Sequence, residues 1–165
     1  MNFTAIDFEY AIGQDSACSV GIVTVSDGII SEEFHSLIKP PDNKYSYYTT
    51  RVHGLTPAHT RNAQLFPEVF PEIKKRLENR IVVAHNIATD RSVLHKNMNR
   101  YDIPVETLPI KQWECTLKIY RQKGFKSCKL SSLCSLFNID LDHHQALSDA
   151  KACAMLYLKY LQEKI

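Results

Sequence analysis

Four carboxylates stand in segments whose other residues are mostly apolar, and this placement constrains the fold more than any other feature of the sequence. Asp7 and Glu9 belong to a strand-like stretch, Asp90 follows an apolar run, and Asp149 comes five residues after His144. A buried carboxylate costs free energy unless it is paired, protonated or bound to a metal. A fold that brings these five residues together would therefore form a divalent-metal site suited to hydrolytic chemistry.

Length and composition fit one domain with a full-sized core. The chain has 165 residues, of which 44% are hydrophobic and 23% are charged, as in an ordinary globular protein. We therefore expect a single domain over residues 1–165. The net charge of +2 is too small to argue by itself for a nucleic-acid partner.

Signals for secretion, membrane insertion or structural zinc are not found in the sequence. The five cysteines are odd in number and lack C-x-x-C spacing, so we interpret them as reduced thiols. The first residues have neither the basic nor the apolar region of a signal peptide. No apolar run approaches the ~20 residues of a membrane span. We expect a soluble, cytoplasmic protein with no membrane partner.

Apolar alternation and turn signals predict strands first, then alternating helices and strands. Three early strands are expected at Phe3–Tyr10, Cys18–Val25 and Ile29–Ile38, and their short connections favour antiparallel neighbours. A tyrosine-rich loop is expected to open at Lys39. Later strands are expected at 80–84 and 111–114, and helices at 66–79, from Asp90 onward, at 116–122, 130–137 and 145–164. This order predicts an α/β domain with a mixed sheet.

Local geometry is compatible with a shared site, although each motif also has a purely structural explanation. Asp7 and Glu9 share one face of a strand, or else are solvated on an exposed edge strand. Asp90 follows a strand end, where α/β sheets bind ligands, or else interacts with the dipole of its own helix. His144 cannot share a helix face with Asp149 at a spacing of five. We therefore place it in the preceding loop, with an ordinary surface histidine as the alternative.

Three segments, in this order, resemble the exonuclease motifs of the DEDDh 3′–5′ exonucleases in the RNase H-like superfamily. They are Asp7-Phe8-Glu9, Ala84-His85-Asn86 with Asp90, and His144-x-Ala-x-x-Asp149. Residues 83–94 and 113–121 are similar to the exonuclease X branch, which lies near the proofreading subunit of DNA polymerase III. The resemblance covers residues 3 to 161.

The resemblance implies both a fold and a reaction. The fold would be an RNase H-like mixed β-sheet flanked by helices, with the first three strands antiparallel and the later ones parallel. Asp7, Glu9, Asp90 and Asp149 would hold two Mg²⁺ or Mn²⁺ ions, and His144 would be the general base. The reaction would release 5′-mononucleotides from a 3′ end.

Substrate contacts follow the family pattern less closely than the metal ligands do. Tyr10 stands where the family often has Thr, and Thr89 where it often has Phe, so the pocket for the terminal nucleotide differs from the usual one. Little base specificity is expected, because stacking tolerates every base. The candidate substrate-binding residues are Phe8, Tyr10, Ala11, Ile12, His53, Gly54, Leu55, His85 and Asn86.

The class of nucleic acid stays open at this point. The likeness to exonuclease X favours a single-stranded or frayed 3′ end of DNA. An exoribonuclease of the same fold is the alternative, because no device in the sequence excludes a 2′-hydroxyl. A non-catalytic nucleic-acid-binding module is a third hypothesis, and the intact set of acids with His144 disfavours it. Association with a polymerase and the oligomeric state are both left open.

Overall fold

One mixed sheet organises residues 1–163, the part of the chain that the computed structural model describes. Its strands are β1 (Phe3–Tyr10), β2 (Ala17–Ser26), β3 (Ile29–Lys39), β4 (Gln64–Leu65), β5 (Ile81–Ala84) and β6 (Gln112–Cys115). They lie in the order β4-β3-β2-β1-β5-β6. β1, β2 and β3 pair antiparallel, whereas β5 pairs parallel with both β1 and β6. The predicted mixed sheet of the RNase H-like type is confirmed.

Helices cover both faces of this sheet. They are α1 (Tyr47–His53), α2 (Pro57–Thr60), α3 (Phe66–Leu77), α4 (Ile87–Arg100), α5 (Thr116–Gln122), α6 (Leu130–Phe137) and α7 (Ala146–Gln162). One buried cluster packs α5, α6 and α7 on one face, and the other packs α3 and α4 on the opposite face. Within the described residues, none of the helices has the length and apolar character needed to cross a bilayer.

The loop expected after Lys39 is wrong in part, because it contains the helix α1. The Ser46 side chain accepts a hydrogen bond from the backbone N–H of Thr49 and caps the start of the helix. Gly54 ends it in the left-handed conformation, with φ of 74°. The tyrosines, threonines and valine of α1 are weak helix formers, so sequence periodicity did not reveal it.

The helix expected from Asp90 begins three residues earlier, at Ile87. Asn86 has a left-handed backbone conformation, with φ of 65°, and its carbonyl accepts a hydrogen bond from the N–H of Thr89 at 2.9 Å. Asparagine tolerates this conformation better than most residues. The sharp turn after β5 therefore places Asp90 on the first turn of α4, facing the sheet.

Gly21 of β2 sets how closely α7 approaches the sheet. A Cβ atom at Gly21 would lie 2.3 Å from the carbonyl carbon of Ala146, the first residue of α7. Gly21 is also the direct antiparallel partner of Asp7. The missing side chain thus lets the start of α7 rest on the backbone beside Asp7.

Candidate active site

Asp7 and Glu9 lie near the carboxyl end of β1, on the sheet face covered by α7. Strand alternation gives both side chains the same orientation, and both are partly exposed while Phe8 between them is buried. Asp149, on the first turn of α7, is only 4% exposed. One carboxylate oxygen from each of Asp7, Glu9 and Asp149 lies within 4.8 Å of the others. These three side chains could therefore ligate a common cation.

Asp90 joins this group from the other side of β1. It is 3% exposed, and its Oδ1 accepts a hydrogen bond from the backbone N–H of Phe8 at 2.9 Å. This bond ties α4 to β1 between Asp7 and Glu9. All four acids line one cavity of about 400 Å³, so the structure brings together the carboxylates that the sequence analysis selected.

Burial and mutual repulsion disfavour the charged forms of Asp7, Glu9 and Asp90. Burial, followed by the charges of Asp90 and Asp149, raises the pKa of Asp7 well above its usual range. The same causes raise the pKa of Glu9 to about 8, and burial raises that of Asp90 to about 7. A set of crowded carboxylate oxygens is the donor set that hard divalent cations prefer. The residues therefore fit a divalent-metal site.

His144 lies beside the acids, in the loop that leads into α7. Its φ of 69° is in the left-handed region, and its backbone N–H donates to Oδ2 of Asp149 at 3.2 Å. Its ring lines the same cavity as the acids. Burial, followed by the neighbouring His143, lowers its pKa. A neutral imidazole at neutral pH can accept a proton.

His143 contacts Asp149 directly, a contact that the sequence analysis did not predict. Its Nδ1 lies 3.0 Å from Oδ2 of Asp149, and its ring stacks on that of His144 at a centroid distance of 3.8 Å. Motif spacing selects His144, whereas this contact depends on how the loop bends back over α7. The His-His pair was visible in the sequence, but it did not indicate which ring would meet the carboxylate.

The substrate-binding candidates after Glu9 have different surroundings. Tyr10 lines the acidic cavity and also a second cavity of about 280 Å³, which α1 completes with Tyr48 and Val52. Ile12 is 54% exposed, whereas Ala11 is fully buried. The Ala11 carbonyl accepts a hydrogen bond from the backbone N–H of Ser46 at 2.8 Å. Ala11 therefore fastens the start of α1 to the end of β1 and offers no exposed surface itself.

The end of α1 and the residues after it line spaces beside the acids. His53 lines the second cavity, and its Nε2 lies 3.3 Å from the carbonyl oxygen of Tyr10. Leu55 lines a small space shared with Glu9 and His144. Gly54 is exposed at the turn between them. These three candidates thus lie on the side of the acids that faces α1.

His85 and Asn86 lie on the opposite side, at the end of β5, where both line the acidic cavity. Nδ1 of His85 is 2.9 Å from Oγ1 of Thr116, and burial lowers the pKa of His85 to about 4. Nδ2 of Asn86 donates to Oγ1 of Thr89 at 3.1 Å. His85 is therefore a neutral wall residue at physiological pH. Four further lining residues, which no sequence motif indicated, come from α5, α6 and the residue before α6: Leu117, Lys129, Leu130 and Ser131.

Comparison with known proteins identifies the family. The RNase_T family model, described as exonuclease, matches residues 4–157. The chain belongs to this exonuclease family. The predicted membership of the DEDDh-type 3′–5′ exonucleases in the RNase H-like superfamily is thereby confirmed, and this is a family of divalent-metal-dependent enzymes.

The curated relatives that this chain matches are much longer proteins. The chain is 27% identical over 150 residues to the PolC-type DNA polymerase III of Caldanaerobacter subterraneus subsp. tengcongensis, covering 90% of the chain and 10% of that protein. It is 33% identical over 135 residues to the PolC-type DNA polymerase III of Lactococcus lactis subsp. lactis, covering 80% and 8%. The chain thus spans about a tenth of the length of these relatives.

Solved structures share the fold of this chain over nearly its whole length. Exonuclease X in complex with 5′ overhanging duplex DNA has a TM-score of 0.77 at 24% identity, covering 98% of the chain and 92% of that protein. The nuclease domain of 3′hExo, a DEDDh family member bound to rAMP, has a TM-score of 0.83 at 19% identity with the same coverages. At these identities the likeness concerns the fold.

Proposed function

We propose that this protein hydrolyses phosphodiester bonds from the 3′ end of DNA and releases 5′-mononucleotides, with two divalent cations held by Asp7, Glu9, Asp90 and Asp149. The observation that carries the proposal is the convergence of four crowded carboxylates on one cavity with His144 at its edge. Residues 1–165 would act as a single catalytic domain. Five free thiols support a reducing, cytoplasmic setting.

In the proposed mechanism, the four acids would hold the cations and His144 would transfer a proton. Bound divalent cations supply charge stabilisation at the phosphoryl oxygens during in-line displacement. His144, held neutral by burial, accepts the proton of the attacking water. Its backbone bond to Asp149 and its stacking on His143 orient the ring toward the cavity.

The terminal nucleotide has a suitable place beside the acids. The second cavity, of about 280 Å³, adjoins Glu9 and has aromatic or apolar walls from Tyr10, Tyr48 and Val52. A base would stack there without hydrogen-bond readout, so sequence preference should be weak. Tyr10 lines both cavities and would contact the sugar or base next to the scissile bond.

DNA is the favoured substrate because the curated relatives named above are DNA polymerases, and association with a polymerase belongs to the same proposal. RNA is the second candidate. The nuclease domain of 3′hExo is bound to a ribonucleotide, and its fold matches this one closely. A single-stranded or frayed end suits a cavity that is open at the protein surface.

Product analysis tests the proposal. Purified protein with Mg²⁺ or Mn²⁺ should shorten 5′-labelled single-stranded DNA stepwise from the 3′ end and release 5′-mononucleotides, whereas the Asp7→Asn variant should be inactive. Matched RNA of the same sequence measures the preference between the two nucleic acids. Intact DNA and RNA after incubation with either metal would refute the exonuclease function. Faster cleavage of RNA would replace DNA by RNA as the substrate.

A further inference from the structure

Basic residues are concentrated in one short part of the chain. Lys118–Lys129, which we call the basic segment, contains five of the 20 basic residues and no acidic residue. The other 153 residues carry 15 basic and 18 acidic side chains. The net positive charge of the protein therefore originates in the basic segment, while the rest of the molecule is acidic overall.

The basic segment begins and ends at the acidic cavity. Leu117, just before it, and Lys129, its last residue, both line that cavity. On α5, Arg121 lies one turn beyond Leu117 on the same helix face, and Lys118 lies beside them. Arg121 and Lys118 are exposed, whereas Ile119 and Tyr120 on the other side of α5 are buried. The exposed cations of α5 therefore continue outward from the wall of the cavity.

Aromatic packing holds the loop of the basic segment in place. The ring of Phe125 packs edge-on against Tyr120 at a centroid distance of 5.2 Å and lies 5.9 Å from that of Phe137. The backbone N–H of Phe125 donates to the carbonyl of Tyr120 at 3.2 Å. Gly124, with φ of 81°, makes the turn. The charges thus stand on a packed scaffold rather than on a free tail.

Most cations of the basic segment form no ion pair with any residue in the described part of the chain, residues 1–163. Lys123 pairs with Glu163 and lies over the ring of Tyr160. The other four (Lys118, Arg121, Lys126 and Lys129) are exposed. They take part in none of the ion pairs found between residues 1 and 163. Four cations without carboxylates are available to an external anion.

We propose that the basic segment binds the phosphate backbone of the nucleic-acid strand beyond its terminal nucleotide, an inference that rests on the proposed function. In the proposed function, two divalent cations balance the four acids that line the catalytic cavity, so the cavity has no excess positive charge to attract the strand beyond its terminal nucleotide. Lysine and arginine contacts to phosphates supply such attraction without reading sequence, and they make binding salt-dependent. The basic segment is placed to supply it at the rim of that cavity.

A charge-neutralised variant tests the proposal. The triple variant Lys118→Gln/Arg121→Gln/Lys126→Gln should raise the KM for a 12-nucleotide oligo(dT) about tenfold. It should also reduce the slope of log binding constant against log salt by about 2, since each single-strand phosphate contact contributes ~0.7. Hydrolysis of the p-nitrophenyl ester of thymidine 5′-monophosphate, which has no upstream phosphates, should be unchanged.

A matched control removes the same charge elsewhere. Three basic residues lie near the N-terminal ends of β5 and β6, away from the acids: Lys75, Arg80 and Lys111. Their replacement by Gln should leave the KM for the oligomer within twofold of wild type. Wild-type KM and salt slope in the first triple variant, or an equal loss in the control, would overturn the proposal.

Two further measurements separate the proposal from other failures. The charge-preserving variant Lys118→Arg/Arg121→Lys/Lys126→Arg should keep the wild-type KM, and a loss there would show that packing rather than charge is responsible. Fluorescence anisotropy of a labelled oligomer reports binding without cleavage. A wild-type protein that bound the oligomer without cutting it would refute the exonuclease function. The triple variant would still decide whether the basic segment binds the backbone.

Discussion

Buried charges lie at both ends of β1, but they are paired with opposite charges at one end and crowded with like charges at the other. Near its start, Thr4 donates a hydrogen bond to the carbonyl of Arg76, whose side chain is only 9% exposed. The guanidinium is 2.5 Å from Glu32, 2.6 Å from Glu72 and 4.1 Å from the ring centre of Phe34. Near the other end of β1, Asp7, Glu9, Asp90 and Asp149 are crowded together. Burial, followed by the charges of the neighbouring acids, raises the pKa values of Asp7, Glu9 and Asp90.

The difference distinguishes a structural charge from a functional one. Glu32 and Glu72 neutralise the charge of Arg76. This end of β1 therefore needs no external ion in the folded protein. At the acid end, the ion pairs among the described residues include only the contact of Asp149 with His143. A cluster of buried carboxylates persists in a fold when the acids are protonated, paired or bound to a cation. The proposed divalent cations would provide the compensation here.

The largest expected effect separates proton transfer from metal binding at the acid end. His144→Ala should lower kcat by about 10²–10⁴-fold, the usual loss for a general base, while calorimetric titration still detects Mn²⁺ binding. His143→Ala is the matched control and should lower kcat less than about tenfold. The ring of His143 contacts the carboxylate of Asp149 rather than the expected position of the attacking water. A larger loss in His143→Ala than in His144→Ala would exchange their roles.

The next effect concerns stability at the Arg76 end. The double variant Glu32→Gln/Glu72→Gln leaves a buried guanidinium without a counter-charge and should lower the free energy of unfolding. Its kcat per folded molecule should equal that of wild type, because Arg76 is remote from the acids. Urea denaturation and single-turnover cleavage measure the two quantities. A stable double variant would mean that the two ends of β1 tolerate unpaired charge equally well.

The smallest effect is a pH dependence confined to the metal-free acid end. The pKa of Glu9 is raised from 4.5 to about 8 and that of Asp90 from 3.8 to about 7. At a pH between the ordinary and the raised pKa of either group, the folded state binds more protons than the unfolded state. The stability of the folded state therefore falls as pH rises. In a chelator, the Tm should therefore decline from about pH 5 to about pH 8. Saturating Mg²⁺ should remove the decline.

Glu9→Gln provides the control for this pH dependence, because its amide cannot titrate. The decline of Tm in chelator should be shallower in this variant than in wild type. An equal slope in both proteins would show that Glu9 does not contribute, and a flat wild-type profile would show that the acids are not repelling one another.

The sheet and the four acids were predictable from sequence for a simple reason. Strand alternation fixes which side chains share a face, so Asp7 and Glu9 could be assigned to one side of β1. The order of the three motifs then matched a known family. Residues that act through local pattern or through motif spacing are visible in a single sequence.

Other parts of the site depend on tertiary geometry. α1 contains weak helix formers and is held by contacts to Ala11, so its helical state has no periodic signal. Lys129 and Leu117 reach the cavity only because α5 and α6 pack beside α7. The contact of His143 with Asp149 depends on the left-handed backbone of His144. None of these contacts could be deduced from the spacing of residues in the sequence.

Gly21 sets the distance between the two halves of the site. The strand half of the site, Asp7 with Glu9, and the helix half, Asp149 with His144, belong to separate elements whose separation is set where Ala146 rests on the Gly21 backbone. Even one methyl group there would act as a spacer between the halves. The absence of a Cβ atom at Gly21 thus sets the width of the gap that the proposed cations would bridge.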